Sequence, residues 1–137
     1  MKIRIALGIL VLCTMLLTAS CVTSHDQSIN ITCEEFSEYK HTGAEFTVEV
    51  GDKIRVNLCS SPTTGFKWEY TLTGNSVTEE DHDFEEPEGD MVGVAGTEMW
   101  TFEAATTGTS EIKMEYSQPW DGGTKAVWTC RIAITVK

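Results

Sequence analysis

Apolar residues alternating at period two, turn signals about every eight to twelve residues and no convincing helical period predict an all-β fold, an antiparallel sandwich or barrel. Phe46, Val48 and Val50 alternate up to a Gly51-Asp52 turn, and Ile54, Val56 and Leu58 alternate on the next strand. Phe66, Trp68 and Tyr70 repeat the pattern, Trp100 and Phe102 mark a short strand, and Ile112, Met114 and Tyr116 mark another. Trp128, Cys130, Ile132, Ile134 and Val136 make a long last strand, apolar on one face. Side chains in a strand point alternately to its two sides, so each apolar set faces one interior. The expected core is Ile54, Val56, Leu58, Trp68, Trp100, Phe102, Ile112, Met114, Trp128, Ile132 and Ile134.

Upstream, Ile29, Ile31 and Cys33 alternate over a strand's length, and Asn30-Ile31-Thr32, inside that strand, matches a glycosylation sequon by chance. Glu34 to Thr42 is charged and irregular, with Phe36 and Tyr39 as anchors. Thr78 to Asp90 carries eight carboxylates and reads as a solvated loop. A calcium site is the sharper reading of those carboxylates, but their spacing follows no EF-hand pattern.

The first 20 residues read as an export signal outside the fold. Two positive charges at Lys2 and Arg4 precede an apolar run of 13 residues, Ile5 to Leu17, the length of a signal-peptide core and short for a bilayer span. Thr18-Ala19-Ser20-Cys21 then resembles a prokaryotic lipobox, with Thr18 where leucine is usual. The expectation is cleavage before Cys21, lipidation there, a small polar tether over residues 21–28 and a domain over 29–137. The protein would then sit in the cell envelope, held to the membrane by the lipid alone. Plain secretion is the alternative.

Without that leader the chain keeps eight basic residues against 21 acidic, a net charge of −13. Such a surface repels nucleic acid and anionic lipid. Cys33, Cys59 and Cys130 remain once Cys13 leaves with the signal and Cys21 takes a lipid. A Cys33–Cys59 bridge is preferred, with Cys130 pairing to either as the alternative. Cys130, mid-strand on an apolar face, also reads as a small buried hydrophobe.

Nothing in the chain marks an enzyme. His25, His41 and His82 fall in predicted tether or loop, and no HExxH, GxSxG, P-loop or paired CxxC occurs. No residue set calls for a metal or another cofactor. Three loops stand out instead. In Ser61-Pro62-Thr63-Thr64-Gly65-Phe66, Pro62 fixes its own φ, the β-branched threonines have few rotamers, and Gly65 can take the positive φ of a turn. A loop this stiff loses little entropy on meeting a partner. Gly93-Val94-Ala95-Gly96-Thr97-Glu98 is a small-residue loop open to close approach. Gln118-Pro119-Trp120 presents an aromatic at a loop tip, as binding hot spots do. Loops of a Greek-key sandwich gather at one end, so the three would form a continuous wedge.

These three motifs, in this order and spacing, resemble the chagasin family of papain-type cysteine protease inhibitors over about Phe46 to Lys137. The first stands for the family's Asn-Pro-Thr-Thr-Gly-(Phe/Tyr), the second, with Trp100, for its glycine-rich loop, and the third for its Arg-Pro-Trp. The resemblance implies a single Ig-like Greek-key sandwich and reversible inhibition without catalysis. Ser61, Pro62, Thr63, Thr64, Gly65 and Phe66 would enter the active-site cleft of a papain-family peptidase. Gly93, Val94, Ala95 and Gly96 would grip one wall, and Gln118, Pro119 and Trp120 the other, with the inhibitor acting as a monomer. Ser61 for Asn, Ala95 for Gly and Gln118 for Arg depart from the pattern and bear on potency and target choice. The rival class is a surface-anchored Ig-like binding module using the same loops.

Overall fold

The alternating segments form two four-stranded sheets in a computed structural model that describes residues 25–89 and 93–137. In chain order the elements are β1 (Gln27–Ile31), α1 (Cys33–Tyr39), β2 (His41–Val48), β3 (Lys53–Ser60), β4 (Lys67–Gly74), β5 (Val77–Glu85), β6 (Gly96–Ala104), β7 (Gly108–Ser117) and β8 (Trp128–Val136). One sheet runs β1-β3-β6-β5 and the other β2-β8-β7-β4. The pairings β3/β6, β5/β6, β4/β7 and β7/β8 are antiparallel. β1 and β2, which share one edge of the sandwich, instead pair in parallel with β3 and β8.

The core is the predicted one with additions. Ile54, Val56, Leu58, Trp68, Trp100, Phe102, Ile112, Met114, Ile132 and Ile134 are buried, while Trp128 is partly buried at the edge of the same cluster. Phe36 and Val77 join them, both from segments that the alternation did not claim. Cys33 and Cys59 form the disulfide, and Cys130 is a free, buried thiol whose pKa burial pushes up to about 12. A thiol held protonated in this way is unreactive.

Two segments depart from the sequence reading. Cys33, read as the end of a strand, and residues 34–39, read as irregular, are helical, with Thr32 and Glu35 forming a capping box. The Glu35 backbone N–H donates to Thr32 Oγ1 (3.2 Å), and the Thr32 backbone N–H donates to Glu35 Oε2 (2.8 Å). The Thr32 backbone N–H and the Thr32 hydroxyl (2.9 Å), both donating to the carboxylate, hold the Glu35 pKa below its ordinary value. The helix is fastened by fully buried Phe36, whereas Tyr39 is exposed. Thr78 to Glu85, within the stretch read as a solvated loop, belong to the edge strand β5, which opens at Val77. His82 stacks on Trp100 (centroids 4.6 Å apart) and Phe84 covers Gly96, while the intervening carboxylates face water. Charge along an edge strand also deters another chain from pairing with it. Among the described residues, no group of three or more His, Cys, Asp or Glu is placed to hold a metal ion.

Of the residues expected to lie in the tether, Gln27 and Ser28 instead open β1, so the sheet begins two residues earlier than expected. The His25 backbone N–H donates to Asp52 Oδ1 (3.0 Å) and Asp26 pairs with Arg55 (3.1 Å). The leader and Cys21 lie outside the described residues.

Candidate inhibitory edge

The strand registers bring all three loops to one end of the sandwich. Ser60, the last residue of β3, pairs with Gly96, the first of β6, and Glu85 at the end of β5 pairs with Thr97 beside it. In the other sheet Lys67 opens β4 opposite Ser117 at the end of β7, and Tyr116 pairs with Trp128, the first residue of β8. The loop 61–66 therefore crosses from sheet to sheet in the middle of this end. The β5–β6 loop flanks it on one side and the β7–β8 loop on the other.

Loop 61–66 is locked by its own backbone. Pro62–Thr64 form one turn of 3-10 helix, closed by Thr64 N–H to Ser61 O and Gly65 N–H to Pro62 O, both 3.1 Å. Thr64 Oγ1 donates to Ser61 O (2.6 Å), and Gly65 has φ +79°, as the turn required. Ser61 shapes the turn through its carbonyl and makes no side-chain cap hydrogen bond. Pro62, Thr63 and Thr64 are exposed at the tip.

Beneath the loop lies a run of aromatic rings. Phe66 stacks on Tyr116 (5.3 Å), Tyr116 on Trp128 (5.0 Å) and Trp128 on Phe36 (5.0 Å), with Trp68 tilted against both Tyr116 and Phe36. The polar atoms of these rings serve the loop as well. Tyr116 OH accepts from the Ser61 backbone N–H (2.8 Å), and Trp68 Nε1–H donates to Cys59 O (2.9 Å). Phe66 thus supports the loop from below. Tyr116 matters as much as any motif residue, yet in the sequence it is only one more alternating aromatic.

Trp120 is half exposed, and its ring edge lies against Gly65: a Cβ at Gly65 would come within 2.6 Å of Trp120 Cη2. Its own loop is clamped by Lys125, whose Nζ donates to the carbonyls of Gln118 and of Trp120 (3.1 Å for the latter). Gln118 closes the loop, its Oε1 accepting from the Thr124 backbone N–H (2.9 Å). The departure from Arg therefore exchanges a cation for an acceptor that this loop uses. Neither Lys125 nor the task of Gln118 had any signal in the sequence, since both depend on the loop's path.

In the β5–β6 loop the predicted residues divide. Gly93 (φ +84°) and Val94 are exposed, and Ala95 packs partly against the core. Gly96 is buried, where a Cβ would meet Glu85 O at 2.4 Å and the Phe84 ring at 2.5 Å. Gly96 is thus needed for packing. Among the described residues the one non-glycine with positive φ is Ala126, so Ala95 holds an ordinary backbone that a methyl group does not disturb.

Comparison with known proteins agrees with this arrangement. Residues 47–136 match the family described as Chagasin family peptidase inhibitor I42. Chagasin of Trypanosoma cruzi is 31% identical over 87 residues, covering 60% of this chain and 79% of the relative. The cysteine protease inhibitor EhICP2 of Entamoeba histolytica superposes with a TM-score of 0.64 at 22% identity, covering 81% of this chain and 97% of that one. PbICP-C, solved in complex with falcipain-2, gives 0.51 at 14% identity, covering 84% and 95%. At those identities the two structures speak for the fold. The family match, over most of the chain and all three loops, carries the assignment: this protein belongs to the chagasin family of peptidase inhibitors.

Proposed function

We propose that the protein is a reversible, tight-binding inhibitor of papain-like cysteine endopeptidases, with the three loops filling the active-site cleft. The observation that carries this reading is the exposed Pro62-Thr63-Thr64 turn, locked from below by Tyr116 and from the side by Trp120. A cleft that cleaves extended peptides cannot align a nucleophile with a carbonyl curled into 3-10 geometry, so the turn covers the catalytic groups without being cut. Because the turn is already ordered, little conformational entropy is lost on docking. Val94 and Trp120 supply apolar contact on either side, with Gly93 and Pro119 beside them. Chagasin is this chain's relative by sequence, and EhICP2 and PbICP-C share its fold, which supports a cysteine peptidase as the target.

Export and anchoring belong to the same proposal. Lys2 and Arg4, the apolar run from Ile5 to Leu17 and Thr18-Ala19-Ser20-Cys21 support cleavage before Cys21 and lipidation there. The inhibitor would then face peptidases outside the cytoplasm. Inhibition of papain by the exported chain, compared with a Thr63→Ala/Thr64→Ala variant, tests the function. Potent inhibition by the parent with a large loss in the variant is expected, and an inactive parent would favour the binding-module reading. Mass spectrometry of the membrane fraction should find a diacylglyceryl group on Cys21, and an unmodified soluble chain would refute the anchor.

A further inference from the structure

α1 stands at the same end of the molecule as the three loops. It connects the end of β1, where Ile31 pairs with Leu58, to the start of β2, where His41 pairs with Thr129. Lys40 O accepts the Thr129 backbone N–H (2.9 Å), so the helix's last residue, Tyr39, stands level with the close of the β7–β8 loop. Among the described residues the exposed large hydrophobics are Tyr39 (62%), Val50 (52%), Trp120 (51%) and Val94 (44%). Val50 lies at the opposite end, in the turn between β2 and β3. The other three share the inhibitory end, one each on α1, the β7–β8 loop and the β5–β6 loop. Exposed aromatics scattered singly call for no explanation, but three large apolar groups at one end of a sandwich can meet the same partner.

The helix is held firmly enough to act as part of that surface. The Cys33–Cys59 disulfide ties its first residue to the strand that enters loop 61–66, with Cα atoms 5.1 Å apart. Phe36 is fully buried between Trp68 and Trp128, and the Thr32–Glu35 capping box closes the N-terminus. A group presented on a fastened support loses little entropy on binding. The match to the family model begins at residue 47, so this helix and its first cysteine lie outside that matched segment.

Given the inhibitory role proposed above, we infer that α1 is a fourth contact, with Tyr39 docking on the rim of the same peptidase's cleft beyond the Trp120 side. Tyr39 offers a flat apolar ring with a hydroxyl, suited to an apolar or aromatic patch at the cleft edge. Glu34 and Glu38, exposed on the same helix, would favour a basic rim. Because a rim varies more between peptidases than the catalytic groups do, the helix would set target preference.

The test compares the exported chain with its Tyr39→Ala variant against several papain-type peptidases, by inhibition constant and dissociation rate. A second variant carries a photo-reactive benzophenone amino acid at position 39. The inference expects an unchanged melting temperature, dissociation faster by about threefold to tenfold for some peptidases and little change for others, and cross-linking of position 39 to the peptidase. If the parent inhibits but Tyr39→Ala matches it throughout and no cross-link forms, the fourth contact is wrong and the three-loop reading stands. A loss equal for every peptidase, with a lowered melting temperature, would mark Tyr39 as structural and overturn the inference too. An inactive parent would sink both readings.

Discussion

The two ends of this sandwich are built on different principles. At one end the turns are short and the ties are backbone and small polar groups. Asp52 accepts the backbone N–H groups of His25 (3.0 Å) and Glu49 (2.8 Å), and Gly51 N–H donates to Ala104 O (2.8 Å). Buried Ser76 and Ser110 share a hydroxyl contact of 2.6 Å, with Ser76 O accepting from Ala105 and Thr106. At the other end the connections are long, and they are held by stacked aromatic rings, a disulfide and side chains that reach loop backbone. Local hydrogen bonds suffice to close a tight turn. A loop kept exposed for a partner cannot close on itself, so its order must come from beneath. Changes at the first end should therefore cost stability alone, and changes at the second should cost inhibition.

The largest effect on inhibition is expected from Gly65→Val. A β-branched residue at φ +79° is strained, and its Cβ would collide with the Trp120 ring. The inhibition constant should rise on the order of a hundredfold while circular dichroism stays that of the parent. Trp120→Ala comes next, with a loss of about thirtyfold, seen mainly as faster dissociation. It removes a contact and also the ring that backs Gly65, so its effect and that of Gly65→Val should be less than additive.

Replacing both Cys33 and Cys59 by Ala probes the junction between stability and function. Losing this bridge should cost about 3 kcal/mol in urea unfolding. Inhibition should fall less than for Trp120→Ala, because Tyr116 still holds Ser61.

Asp52→Asn is the converse probe at the turn end, and inhibition should not change. The two backbone N–H donors hold the Asp52 pKa below its ordinary value of 3.8. A carboxyl group with a depressed pKa stabilises the fold above its unfolded value, and that contribution disappears as pH falls through the folded one. The parent should therefore melt higher than the variant at neutral pH, and the gap should close below about pH 4. The smallest effect is expected from Gln118→Arg. It restores a cation but removes the acceptor for Thr124 N–H, so any gain should be about twofold, confined to acidic rims and lost in salt.

The same contrast separates what was legible in the sequence from what was not. Period-two alternation in β3, β4, β6, β7 and β8 is a local property of a strand with one wet face, and it identified the core before any fold was known. The positive φ at Gly65 was legible too, because Pro-Thr-Thr-Gly permits few other turns. The helix at Cys33–Tyr39 had a legible signal in Thr32-Cys33-Glu34-Glu35, yet a seven-residue helix is unstable alone and exists here because Phe36 finds a buried slot. The edge strand β5 was hidden because, on an edge with one face bare, carboxylates can alternate with His82 and Phe84 where buried strands carry apolar residues. Composition and local periodicity by themselves determined an all-β, acidic chain with three stiff or small-residue loops. Only tertiary structure decided that Tyr116 holds Ser61, that Trp120 backs Gly65, that Gly96 serves packing and that Tyr39 shares the inhibitory edge. Those facts are contacts between residues distant in the chain, and such contacts leave no periodic trace in either partner's sequence.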